Sequence, residues 1–154
     1  MGVTIQQGTS EIPEVADGLA LSRFDGMAIE KHPDWATESD KFGKPDSGDR
    51  IRFEWTLLDE ETGAVLYGED GDPVVVNQLT RVFFGAQSRT YALLKGILTK
   101  AELALVDAKE PIDSDALIGR INNLNISHNE KGWPQIDAVI PATPKQIKLV
   151  AAAE

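Results

Sequence analysis

The clearest pattern in this chain is a strict alternation of apolar and polar side chains between residues 50 and 57. Alternation of this kind has the period of a β-strand, and it places one face of the strand in a core and the other in solvent. The apolar face would consist of Ile51, Phe53, Trp55 and Leu57. The opposite face would carry Arg50, Arg52, Glu54 and Thr56.

A second alternating stretch predicts a β-hairpin near the end of the chain. Leu124, Ile126 and His128 share one face of its first strand. Residues 129–132 supply the turn, in which Gly132 tolerates a positive φ. The returning strand alternates again at Ile136, Ala138 and Ile140.

Other segments predict further strands before the hairpin. The chain from residue 17 is expected to form a long first strand that bends at residues 25–26. Residues 32–49 are rich in Pro, Gly, Asp and Ser and are expected to form a long loop. Short strands are predicted at residues 64–67 and 74–79.

The hydrophobic period then changes from that of a strand to that of a helix. Ser88 is a suitable N-cap, and Leu94 and Leu98 follow it on one helical face. Thr99 and Glu102 have the spacing of a capping box, so a second helical segment is expected to run to about residue 108. The helical segment therefore follows three strands and an optional fourth, and it precedes the closing hairpin.

This order of elements predicts a mainly β fold, namely an OB-like small barrel with an interposed helical segment. The alternative is an α+β arrangement in which the helix lies across an open antiparallel sheet. Residues 1–16 are expected to be a flexible N-terminal arm, residues 17–144 a single OB-like domain, and residues 145–154 a flexible C-terminal tail.

Composition is consistent with one intracellular domain. The chain has 154 residues and 42% hydrophobic content, so it can bury a core without disulfides, and it contains no cysteine. No signal peptide or membrane-spanning stretch is recognisable, so we expect a cytoplasmic protein that does not enter a membrane. The formal net charge of −10 argues against a protein that coats polyanions through overall positive charge.

Several short motifs carry a resemblance to a known group of proteins. They are residues 117–120 (LIGR), 126–133 (ISHNEKGW) and 139–142 (VIPA), preceded in order by residues 12–13, 17–18, 52–55 (RFEW) and 88–94. With these motifs the chain resembles small bacteriophage proteins of the single-stranded-DNA-binding type. The resemblance implies an OB fold and an accessory role in phage replication or recombination, in the cytoplasm of the host cell. The chain differs from that group in its acidic loop and its strong negative charge.

Aromatic and basic side chains suggest how single-stranded DNA would be bound. Such proteins stack bases on aromatic side chains and neutralise phosphates with basic ones. The candidates for phosphate contacts are Arg50, Arg52, Arg89 and Lys131, and the candidates for stacking are Trp35 and Trp133. Phe53 and Trp55 are expected to be core residues instead. The alternative for the basic residues is that they are ordinary solvated charges.

No pattern predicts catalysis, a cofactor or a metal site. His32 and His128 are isolated, and neither a phosphate-binding loop nor a nucleophile elbow occurs. Two other classes of function stay open. One is a phage virion protein, such as a decoration or tail component, which would form homo-oligomers. The other is an acidic inhibitor, whose partner would be a host protein.

Overall fold

The computed structural model describes residues 15–38 and 45–154, so residues 1–14 of the predicted arm lie outside the described residues. The described part of the chain forms five β-strands and three α-helices. In chain order they are β1 (Gly18–Glu30), β2 (Arg50–Leu57), β3 (Val75–Arg81), α1 (Arg89–Ile97), α2 (Lys100–Asp107), β4 (Ile121–His128), β5 (Pro134–Pro141) and α3 (Pro144–Ala153). None of the helices in this part of the chain is long and apolar enough to cross a membrane.

The strands form one antiparallel sheet in the order β3-β2-β1-β4-β5. The central strand β1 has two partners. Its first half pairs with β4, where Gly18 lies opposite Ile126, and its second half pairs with β2, where Glu30 lies opposite Arg50. A bulge between Phe24 and Gly26, where Gly26 has a φ of 138°, lies within the pairing with β2. The predicted bend in the first strand is therefore confirmed.

The mainly β prediction is confirmed, and the helices α1 and α2 lie between β3 and β4 as expected. The barrel does not close, because the described sheet ends at β3 and β5, which are not neighbours in it. Instead, the side chain of Gln78 on β3 accepts a hydrogen bond from the Ile136 N–H of β5 over 3.0 Å. Helix α1 approaches β5 so closely that a Cβ at Gly96 would lie 1.8 Å from the Val139 carbonyl oxygen. The fold thus matches the open antiparallel sheet with helices, and the closed OB-like barrel is corrected.

The inner face of β2 forms the centre of the core. Phe53 and Trp55 are fully buried, as predicted, and the Phe24 ring lies 5.6 Å from that of Trp55. The Trp55 indole N–H points to the amide oxygen of Asn122 at 3.4 Å, and that amide in turn donates to the Gly96 carbonyl over 3.2 Å. Because side chains alternate along a strand, this burial directs the arginines of β2 to the outer face.

Several local predictions agree with the structure. The closing hairpin is present as β4 and β5, with Gly132 at a φ of 85°. Ser88 caps α1, and Thr99 and Glu102 form the capping box of α2. Residues 64–67, predicted to be a strand, make only isolated bridges.

The C-terminal segment changes the predicted domain boundaries. Residues 145–154 are not a flexible tail, because helix α3 begins here with a capping box between Thr143 and Gln146. Val150 of this helix is 5% exposed and packs against Leu21 and Leu58, in a small cluster separate from the main core. The helix covers apolar residues of distant segments, and this burial stabilises it. No local pattern in the sequence reveals such contacts. The folded domain therefore extends through α3.

Candidate nucleic-acid interface

Three arginines lie side by side on the outer face of β2 and β3. Arg50 of β2 pairs in register with Arg81 of β3 on one side and with Glu30 of β1 on the other. Arg52 lies two residues further along β2, on the same face as Arg50, and is opposite Leu79. The guanidinium groups therefore project from the surface of the sheet that faces away from the core.

Trp35 lies at the border of this arginine surface, in the loop between β1 and β2. The loop begins with a 3₁₀ turn over Pro33–Trp35, in which residues three apart lie above one another. The His32 ring accordingly stacks on the indole, with ring centroids 3.8 Å apart and planes inclined by 8°. The Cζ atom of Arg50 lies 5.3 Å from the indole centroid, which is a cation–π distance. Trp35 is nevertheless 44% exposed.

Asp46 holds two of the arginines in position. Its carboxylate accepts hydrogen bonds from both terminal nitrogens of Arg50 over 3.0 Å and lies 3.6 Å from Arg81 Nε. The hydrogen bonds from Arg50, followed by that from the Gly48 N–H, lower the pKa of Asp46. The carboxylate is therefore ionised at neutral pH, and it fixes the guanidinium that lies over Trp35.

Glu30 makes the equivalent contact with Arg52. The carboxylate accepts from Arg52 Nε and, over 3.1 Å, from Arg52 Nη2. His32 Nε2 lies 3.1 Å from the same carboxylate. The hydrogen bond with Arg52 is the largest cause of the lowered pKa of Glu30, and it also raises the pKa of Arg52. Arg52 is thus connected through Glu30 and His32 to the indole of Trp35.

We name this surface the Trp35 face, and we define it by His32, Trp35, Arg50, Arg52 and Arg81 with the carboxylates of Glu30 and Asp46. Three guanidinium groups meet two carboxylates here, and the carboxylate of Glu54, two residues beyond Arg52 on the same face, also acts on Arg52. A bidentate carboxylate uses only part of the five N–H donors of an arginine. The face therefore offers guanidinium donors to an anion and a half-exposed indole to a planar ring.

Trp133 and Lys131 lie in a different part of the molecule, the turn between β4 and β5. The side-chain oxygen of Asn129 accepts hydrogen bonds from the backbone N–H groups of both residues over 2.9 Å. The turn adjoins the N-terminal end of β1, whereas Trp35 follows its C-terminal end. Trp133 is 39% exposed, and in the described part of the chain it has no stacked ring or cation.

Arg89, the remaining predicted contact, is the first residue of α1. Its guanidinium donates to the Ile136 carbonyl of β5, so it does not belong to the outer face of β2. The hydroxyl of the next residue, Thr90, donates to the Arg81 carbonyl over 2.6 Å, which places the start of α1 beside the end of β3. Of the six predicted contact residues, the structure thus brings three together, namely Trp35, Arg50 and Arg52.

Arg81, which completes the face, is not among the six contact residues predicted from the sequence. The strand predicted at residues 74–79 ends before Arg81, whereas β3 continues to that residue. The signal is weak because the strand alternation is interrupted by the polar pair at residues 77–78. The carboxylates of Glu30 and Asp46 are also not predicted as part of the face. The contact of Glu30 depends on strand register, and that of Asp46 depends on the path of a loop.

The Trp35 face combines the groups that bind anions with one that binds planar rings. Among the described residues, no group of three or more His, Asp or Glu side chains is arranged to hold a metal ion. No protein-family model matches this chain, and no curated protein gives a significant match to it.

Proposed function

We propose that this protein binds single-stranded DNA at the Trp35 face, as a non-catalytic accessory protein of the phage replication or recombination type. The observation that carries the proposal is the half-exposed Trp35, which stacks on His32 and lies beside Arg50 on the border of a surface with two further arginines. Stacking aromatics beside phosphate-binding cations are the parts that single-strand binders share.

The geometry supports separate roles for the indole, the guanidinium groups and the carboxylates of the Trp35 face. A base stacks on the exposed part of the Trp35 indole, which His32 and Arg50 hold in place. Phosphates on either side of that base contact the guanidinium groups of Arg52 and Arg81. The carboxylates of Glu30 and Asp46 keep the guanidinium groups oriented, at the cost of part of their positive potential.

The overall charge sets the expected strength of binding. A net charge of −10 repels a polyanion at long range, but at physiological salt charges further away than about 8 Å are largely screened. The guanidinium groups of the Trp35 face then decide the interaction. With about three phosphates neutralised, the logarithm of the affinity should fall with the logarithm of the salt concentration with a slope of about −2.

The test is fluorescence anisotropy of a labelled oligo-dT titrated with the full chain at several salt concentrations, alongside light scattering of the same sample. Salt-sensitive binding with a slope of about −2 is the expected result. Absence of binding at low salt contradicts the proposal. Absence of binding together with a large homogeneous assembly in light scattering would instead favour a virion role.

A further inference from the structure

The chain exposes three consecutive bulky apolar residues immediately after β3. Val82, Phe83 and Phe84 are 41%, 55% and 45% exposed. Contiguous exposed apolar side chains of this size are unusual on a monomer and mark surfaces that contact a ligand or partner. We call residues 82–84 the phenylalanine turn.

The phenylalanine turn is firmly attached to the elements on both sides of it. The Phe83 N–H donates to the Arg81 carbonyl over 2.9 Å, and the Thr90 hydroxyl of α1 donates to the same carbonyl over 2.6 Å. Thr90 also contacts the Thr80 hydroxyl at 2.7 Å. Both aromatic rings are therefore presented by a backbone that is fixed between β3 and α1.

Gly85 determines how the Phe83 ring lies. A Cβ at this position would be 2.5 Å from Cζ of Phe83, so the ring occupies the space that any side chain at residue 85 would need. The backbone of Gly85 does not have a positive φ, and an alanine is therefore compatible with its conformation. The glycine is thus needed for the position of the ring and not for the path of the chain.

The charge around the turn favours an anionic ligand. From residue 73 to residue 101 the chain contains no Asp or Glu, although its net charge is −10. The four charged side chains of this stretch are all basic, namely Arg81, Arg89, Lys95 and Lys100. Arg81 ends the strand before the turn and Arg89 begins the helix after it, so the elements on both sides of the turn contribute positive charge.

Acidic groups of another element limit this surface on one side. Phe84 lines a groove of about 380 Å³ between α1, α2 and the segment that follows α2, and Glu110 lies on the rim of that groove. The Tyr91 hydroxyl donates to Asp107 at the end of α2. A nucleic acid strand would therefore leave the turn toward β3 and not toward α2.

Arg81 connects the phenylalanine turn to the Trp35 face. Its guanidinium lies 3.6 Å from the Asp46 carboxylate and donates to the Pro45 carbonyl over 3.2 Å, so it contacts the loop that carries Trp35. Its backbone carbonyl holds the Phe83 N–H. The two exposed aromatic groups are thus joined by one arginine.

We infer that Phe83 and Phe84 form a second base-stacking platform, and that one DNA strand runs from Trp35 across Arg81 to the phenylalanine turn. This inference rests on the proposed function and specifies the extent of its site. Bases stack on phenylalanine as they do on tryptophan, without sequence preference, while the intervening phosphates contact arginine. A short oligonucleotide occupies Trp35 alone, and a longer one reaches both platforms.

The test is a series of labelled oligo-dT probes from about 4 to about 16 nucleotides, titrated into the wild-type chain, Phe83→Ala and Gly85→Ala. We expect the wild-type affinity to rise with length until both platforms are occupied. Either variant should bind the shortest probe like wild type and lose about tenfold in affinity for the longest. Gly85→Ala keeps both rings and only displaces one, so it separates stacking from the loss of apolar surface.

Tyr67→Ala is the matched control, because Tyr67 is 65% exposed in an acidic loop and should not change any affinity. Thermal unfolding of each variant shows whether it is folded. If Phe83→Ala binds every probe like wild type while Trp35→Ala binds weakly, the second platform is wrong and the proposed function stands. If wild type binds no probe, both fail. If wild type self-associates in light scattering and Phe83→Ala does not, the turn is a contact between copies and the inference is overturned.

Discussion

Trp35 and Trp133 have similar settings in the sequence and different settings in the structure. Each lies in a polar loop near a proline, and the two are about equally exposed, at 44% and 39%. The indole of Trp35 is stacked on His32 and lies beside Arg50, whereas Trp133 follows a turn that Asn129 organises. An exposed tryptophan is thus a candidate for binding when other elements hold the ring and supply charge beside it.

The largest expected difference between the two regions is in DNA affinity after removal of each indole. Trp35→Ala should weaken oligo-dT binding by about 1 to 3 kcal/mol, because one base loses its stacking surface. Trp133→Ala should bind like wild type, since Trp133 lies outside the proposed site. Anisotropy titrations at one salt concentration compare the two variants. Equal losses would show that the two loops act together and that the distinction is wrong.

The turn that carries Trp133 should matter for stability instead of binding. In Asn129→Ala, two backbone N–H groups lose the acceptor that each contacts at 2.9 Å. We expect a loss of about 1 kcal/mol in the free energy of unfolding, because solvent partly replaces these bonds. Urea unfolding measures the loss, and anisotropy should show unchanged DNA binding. A weakened affinity would assign this turn to the binding site.

Removal of one cation from the Trp35 face or from the turn of Trp133 should have different effects on the salt dependence of DNA affinity. Arg52→Ala removes one cation from the Trp35 face, so binding should weaken about threefold and the salt slope should become shallower by about 0.7. Lys131→Ala removes one cation from the other turn and should change neither quantity. Titrations at four salt concentrations give both slopes. A shallower slope in Lys131→Ala alone would reverse the assignment.

Removal of a carboxylate from the Trp35 face should have a small effect of the opposite sign. Asp46→Asn removes a negative charge that repels the phosphates of the DNA. Binding should therefore become about twofold tighter. The pKa of Asp46 is lowered in the folded chain. Its stabilising contribution is therefore complete above the unfolded pKa and is lost as the pH falls through the folded one.

Asp46→Asn should lack the part of the folding stability that depends on the ionised carboxylate of Asp46. Chemical unfolding of the wild type and of Asp46→Asn, measured from neutral pH to below about pH 4, should show a smaller loss of stability in the variant. Parallel curves would mean that Asp46 does not stabilise the fold through Arg50.

Local patterns predict the parts of this fold that depend on neighbouring residues. The alternation of β2, the hairpin of β4 and β5, and the capping box at Thr99 all depend on residues within a few positions of each other, and all are present. The stack of His32 on Trp35 also joins residues only three apart, but it is not predicted, because the composition of residues 32–49 indicates a loop and not the 3₁₀ turn within it. Phe53 and Trp55 are buried as their period predicts.

Contacts between distant segments are what the sequence does not reveal. The sheet is open between β3 and β5, where Gln78 and α1 contact β5, and neither contact has a local signal. Helix α3 is stabilised through Val150 against residues more than ninety positions away. The pairing of Arg52 with Glu30 likewise joins two strands through a register that composition and period do not fix.

The most direct test of the Trp35 face is quenching of tryptophan fluorescence by unlabelled oligo-dT in Trp35→Phe and Trp133→Phe. Each variant keeps one exposed indole and the buried Trp55, which serves as a constant background. The account predicts that oligo-dT quenches the fluorescence of Trp133→Phe, in which Trp35 is present, and leaves that of Trp35→Phe unchanged. Quenching that persists in Trp35→Phe and disappears in Trp133→Phe would contradict it.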